Sequence, residues 1–132
     1  TVLSWNMGFE SGRGDEMGEQ VPDSADFLKD VNSRMIDLMA PFASGYYVHG
    51  GFGGSASIKA VLPVLCPELS YKSLAIQEGG AATASWPLFF GDKLTPTARR
   101  KLEADLKAYC GLDTFAMVKI LERLREVAGI KP

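Results

Sequence analysis

The sequence predicts a mainly α-helical domain with one short strand at its N-terminus. Three observations carry that expectation. Thr1-Val2-Leu3-Ser4-Trp5 is a short apolar run of strand length. Ile58, Val61, Leu62 and Leu65 recur at the three- and four-residue steps of a helix, as do Met117, Leu121, Leu124 and Ala128. Thr95-Pro96 is a strong helix start, with Thr as N-cap and Pro at the first helical position.

The elements follow in order. After the strand, Met7 to about Gln20 can form a helix. Gly8, Gly12, Gly14 and Gly18 weaken it by up to about 1 kcal/mol each relative to alanine. Pro22 ends it. Asp23 then caps a second helix, with Phe27, Val31 and Met35 on one face, running on towards Pro41. Ser44 to Ser57 is a loop region holding Tyr46, Tyr47, the single histidine His49 and Gly50-Gly51-Phe52-Gly53-Gly54. A glycine-rich loop can cradle phosphate, but this one lacks the Gly-Lys-Ser/Thr ending of a nucleotide loop, and a plain connector is the simpler reading.

Ser57 caps the helix that starts at Ile58; Pro63 kinks or shortens it, and Pro67 closes it. Ser70 caps a brief helix through Leu74, and Glu78-Gly79-Gly80-Ala81 reads as a turn into an alanine-rich segment. Trp86-Pro87-Leu88-Phe89-Phe90 is too apolar for open solvent and is expected to fold against the core. From Thr95, the residues Leu102, Leu106 and Tyr109 lead into the last helical run, where Gly111 either separates two helices or softens one. Tyr109 and Asp113, four apart, share a helix face.

At 132 residues the chain has room for one core. With 46% hydrophobic and 23% charged residues, it has the composition of a globular domain rather than a disordered one. No apolar run approaches about 20 residues, so no membrane span is expected, and no signal peptide is visible. Cys66 and Cys110 show neither metal-type nor disulfide-framework spacing, which suggests free thiols and a cytoplasmic setting. A formal net charge of −2 argues against strong sequence-independent binding to nucleic acid. The one dense basic run, Arg99-Arg100-Lys101, is followed by Glu103 and Asp105 and reads as a solvated face.

Asn6, Phe9 and Glu10 after the strand, with the later Tyr109-x-x-x-Asp113, resemble the second and third motifs of the DEDDy 3′–5′ exonucleases. Met35-Ile36-Asp37-Leu38 looks like that superfamily's short Phe-Asp-Thr segment, and Ser57-Ile58-Lys59 resembles its Ser-Leu-x-x-Leu helix start. More closely, the runs Trp5 to Glu10, Ser57 to Leu74 and Tyr109 to Leu124 resemble a bacterial domain family of unknown function with this pattern. The resemblance implies a truncated α/β RNase H-like fold that lacks its first strands. Residues 1–132 would then be one partial domain, the C-terminal part of an exonuclease-like domain. Glu10 stands where these exonucleases usually carry Asp, and their first motif, Asp-x-Glu on a strand, has no counterpart after Thr1. The chain therefore reads as a fragment of a longer protein.

What the resemblance implies for chemistry is phosphodiester hydrolysis at a DNA or RNA 3′ end by two Mg²⁺ or Mn²⁺ ions about 3.5–4 Å apart. Glu10 and Asp113 would be metal ligands, Tyr109 would orient the attacking water, and Asn6 and Phe9 would position the terminal nucleotide. Asp37 is expected to be structural, satisfying backbone donors near a helix start. The fragment alone would be inactive, lacking half its ligands. In the RNase H-like fold the strand before the second motif lies beside the strand carrying the first. Thr1 to Trp5 is therefore expected to fray or to pair with the same segment of a second molecule, giving a homodimer. A competing expectation is a non-catalytic nucleic-acid- or protein-interaction module on a degenerate exonuclease fold. A third is a purely structural helical domain, in which Glu10, Tyr109 and Asp113 do not converge.

Overall fold

A computed structural model describes residues 1–130. The chain is mainly helical, 68% by residue, with one small parallel sheet. Strand β1 (Val2–Ser4) is followed by helices α1 (Met7–Gln20) and α2 (Ala25–Ser33), and then by strand β2 (Met35–Asp37). Four further helices complete it: α3 (Ala40–Ala43), α4 (Ile58–Leu65), α5 (Gly79–Phe90) and α6 (Pro96–Val127). Single 3₁₀ turns at Pro22–Ser24, Gly50–Phe52 and Tyr71–Ser73 join them.

The second strand corrects the expectation of a lone one. Periodicity carried the second helix through Met35, but α2 stops at Ser33 and the next three residues extend to pair with β1. Val2, Leu3 and Ser4 register with Met35, Ile36 and Asp37. The Val2 N–H donates to the Arg34 carbonyl at 3.0 Å and the Leu38 N–H to the Ser4 carbonyl at 2.9 Å. Parallel pairing across a helical crossover offers these residues more than another half-turn of helix. β1 is therefore neither frayed nor without an internal ladder. Its second edge carries no strand among the described residues.

Asp37 ends β2 and fixes the start of α1. Its Oδ1 accepts from the Asn6 N–H at 3.1 Å and the Met39 N–H at 2.9 Å, and its Oδ2 accepts from the Met7 N–H at 3.1 Å. Asn6 makes no side-chain cap, so a carboxylate from across the sheet supplies it, as expected of Asp37. Asn6 itself turns the chain with φ +69°, a left-handed conformation that asparagine tolerates better than most residues.

The core sits among α3, α4, α6 and the turns between them. Leu38, Phe42, Phe52, Val61, Leu62, Tyr71, Ile76, Leu106, Tyr109, Ala116 and Ile120 are buried in one cluster. Trp5 joins it, stacking on Phe42 at 5.6 Å and donating its indole N–H to the Ala56 carbonyl at 3.1 Å. α1 and α2 contribute no member to this cluster. They hold each other through Asn32, whose Nδ2 donates to the Ser11 carbonyl at 3.0 Å and to Asp15 Oδ1 at 2.9 Å.

Three local start signals hold, but Asp23 does not cap the second helix: it lies inside the Pro22–Ser24 turn, and α2 follows Ser24 with no side-chain cap. Ser57 and Ser70 accept from Lys59 and Lys72 N–H groups, and Thr95 accepts from Ala98 N–H at 3.2 Å. α4 is short, as its internal proline requires. Gly111 breaks nothing, since α6 runs continuously for 32 residues. The 78–81 stretch is not a turn of its own: α5 begins at Gly79. Nor does Trp86–Phe90 fold into the core, for Trp86, Leu88 and Phe90 remain exposed.

Two pairs of substitutions test this frame. A Cβ on Gly14 would meet Asn32 Oδ1 at 2.8 Å, whereas Gly12 has nothing within 4 Å. Gly12→Ala is therefore expected to stabilise by up to about 1 kcal/mol and Gly14→Ala to destabilise, measured by urea unfolding. Asp37→Ala strands three backbone donors and should cost about 1–3 kcal/mol in the same measurement, while Asn6→Gly should be tolerated.

Candidate functional site

The cleft along β1 has a volume of about 360 Å³. Its walls come from Val2 to Trp5 of the strand, Met35 of β2, Ile58 at the start of α4, and Met117 on α6. Two carboxylates open onto this largely apolar space: Glu10 from the first turn of α1 and Asp113 from the middle of α6. Residues far apart in the sequence thus share one cleft. Ser4 also lines it; the residue is buried, and its hydroxyl has no hydrogen-bond partner among the described residues.

Asp113 is held from behind. The Tyr71 hydroxyl donates to its Oδ1 at 2.5 Å, and the Tyr71 and Tyr109 rings lie 6.0 Å apart. The Lys59 Nζ stands 5.8 Å from the Tyr71 ring centre. Both tyrosines are buried, at 7% and 8% exposure, one beside and one a turn before the acid. Burial first, and then the hydrogen bond to Asp113 and its negative charge, push the Tyr71 phenol well above its ordinary range. Burial likewise leads for Tyr109, followed by the Asp113 charge, and takes its phenol up to about 12.

The sequence-predicted site residues are therefore divided. Glu10 and Asp113 both line the cleft. Tyr109 lies beside Asp113 but does not line the cleft; its hydroxyl faces Gly79 at the start of α5, where a Cβ would sit 3.5 Å away. Asn6 acts through its backbone, accepting from the Phe9 N–H at 3.0 Å and the Glu10 N–H at 3.3 Å. Phe9 is 59% exposed on α1, with the Arg13 guanidinium 5.5 Å from its ring centre, and it does not wall the cleft. Tyr71 is the residue that sequence reasoning missed. Its signal was local, an aromatic directly after the Ser70 cap and therefore turned inward by the 3₁₀ turn.

The chemistry of the donors suits a hard cation, since carboxylate oxygens are what Mg²⁺ and Mn²⁺ take. The number does not suffice for a pair of them. No group of three or more His, Cys, Asp or Glu side chains able to hold a metal ion occurs among the described residues. By themselves these residues do not fit a two-metal centre.

Fold and site define a helical domain in which α1 and α6 bring two acids to one cleft along a small parallel sheet. A family model for a domain of unknown function (DUF2779) matches residues 1–57. That stretch takes in both strands, Glu10 and Asp37, and stops before Tyr71, Tyr109 and Asp113. No curated protein and no solved structure matches the chain. No helix among the described residues is long and apolar enough to cross a membrane.

The raised phenols give a pH prediction. A tyrosine whose folded pKa exceeds its unfolded value of about 10 contributes stability that is complete below that pH and lost above it. Melting temperature should therefore fall as pH rises from about 10 through the raised values. The share of phenolate absorbance that belongs to Tyr71 and Tyr109 should appear together with unfolding. Tyr71→Phe should make that fall shallower, and at neutral pH should cost about 1–3 kcal/mol through the lost bond to a carboxylate.

Proposed function

We propose that this chain is part of a metal-dependent 3′–5′ exonuclease-like domain that hydrolyses nucleic-acid phosphodiester bonds. The observation that carries the reading is that Glu10 and Asp113 line one cleft along β1. The resemblance of Asn-x-x-Phe-Glu and Tyr-x-x-x-Asp to the DEDDy motifs makes the same pair metal ligands. The unpaired edge of β1 also suits it, because that fold sets its Asp-x-Glu strand beside this one. The two carboxylates would be completed by acids from such a strand, and Tyr71 and Tyr109 would hold Asp113 in place. With those further acids wanting, the 132-residue chain alone turns over little or nothing.

A second reading is favoured by the exposed apolar helix α5, which suits a non-catalytic interaction module on the same frame. Activity separates the two. A longer form with an Asp-x-Glu strand ahead of Thr1, given Mg²⁺ or Mn²⁺, should shorten a labelled single strand from its 3′ end. Asp113→Asn in that form should fold alike and lose about a hundredfold or more of the rate, since even outer partners of a metal ligand are worth 10–100-fold. Unchanged digestion by Asp113→Asn would place the chemistry elsewhere, and no digestion by the parent would favour the module.

A further inference from the structure

Helix α5 carries no charged residue between Gly79 and Phe90, and only Ala82 of it is buried. A helix without charge, whose only polar side chains are Thr83 and Ser85, is normally enclosed, so this one lacks a cover. Its last turn is an ordered aromatic cluster. Trp86 and Phe90 lie 5.5 Å apart and nearly parallel, at 13°. Phe89 meets Phe90 edge-on at 5.2 Å. The outer faces are open, with Trp86 47% and Phe90 71% exposed.

The neighbouring turn supplies positive charge. From Asp92 to Leu102 there are four cations, Lys93, Arg99, Arg100 and Lys101, against the one acid Asp92, in a chain whose net charge is −2. Arg99 donates to the Gly91 carbonyl at 2.6 Å and holds its guanidinium 6.0 Å from the Phe89 ring centre. Lys101 pairs with Asp105. Lys93 and Arg100 are exposed and form no ion pair among the described residues.

We infer that the corner between α5 and α6 binds single-stranded nucleic acid, with bases stacking on Trp86 and Phe90 and phosphates meeting Lys93, Arg99 and Arg100. Parallel rings with an open outer face continue into a stack of bases, and cations in the adjoining turn and helix start meet the backbone. Charge complementarity selects a polyanion over a neutral apolar partner. An anionic lipid surface fits less well, because a helix lying in a membrane interface carries a strongly charged face and α5 has no charged residue. The inference does not depend on Glu10 or Asp113 holding metal.

The test is fluorescence anisotropy of a labelled single strand of about twelve nucleotides, within the range one such site covers. The 132-residue chain is titrated in a chelating buffer, so that turnover plays no part. Binding should weaken about tenfold in Trp86→Ala and in Phe90→Ala, the loss expected of one stacked base. Arg100→Glu with Lys93→Glu should weaken it further and flatten its salt dependence. Helix content by circular dichroism should stay unchanged in all three variants, since these side chains are exposed. Absence of binding, or binding indifferent to these substitutions, would overturn the inference. So would capture by phosphatidylglycerol vesicles without capture of the oligonucleotide. Self-association that Phe90→Ala abolishes, with no oligonucleotide bound, would equally overturn it by showing a second copy as the cover.

Discussion

The Asp37 carboxylate accepts three backbone N–H groups, and through them it joins the end of β2 to the first turn of α1. Without it the first donors of α1 would have no partner, because Asn6 is turned into the left-handed region and offers no side-chain cap. That corner aims α1 away from the sheet and leaves Glu10, one turn in, at the rim of the cleft. The parallel ladder of β1 and β2 contributes the other half of the constraint, by setting Asp37 level with Ser4. A charge-assisted cap across a two-stranded sheet is thus what gives Glu10 its address.

How much of this was legible in the sequence depended on range. Ser57, Ser70 and Thr95 cap what they precede, because a hydroxyl reaching two or three residues ahead is a local event. The structural role of Asp37 was legible for a similar reason, as an acid near a helix start, although the helix it serves lies thirty residues back. β2 was not legible: Met35 continues the spacing of Phe27 and Val31, and only the distant ladder of β1 overrides that period. Trp86–Phe90 misled in the opposite sense. Apolar composition predicts burial only where some other surface is available to receive it, and α6 receives just one side of α5. Of the cleft, Glu10 and Asp113 are the two lining residues that the motifs singled out. Tyr71 was not singled out: the Ser70 cap marks its local turn, but its bond to Asp113, forty-two residues further on, leaves no local trace.

α6 is the spine that relates the two functional surfaces. Leu106, Tyr109, Ala116 and Ile120 bury one stripe of it in the core, and Asp113 lies on that same face, held by Tyr71 where the stripe borders the cleft along β1. Arg99 marks the other surface, at the near end of the same helix. At about 1.5 Å per residue the two lie roughly 20 Å apart along the axis. A continuous rod between them fixes that span, and Gly111 leaves it intact.

The pairing of α1 with α2 has a dynamic consequence. These helices place nothing in the main core, and their attachment is polar: Asn32 between them, Asp37 at their root, and the short ladder beside it. Units held in this way open at a lower free energy than the packed body of a domain. Their amides should exchange with solvent in advance of those in α4 and α6, by sub-global opening rather than complete unfolding. Each such excursion carries Glu10 off while Asp113, clasped by Tyr71, stays behind. The cleft is therefore a transient companion of the hairpin, present for as long as the hairpin is closed.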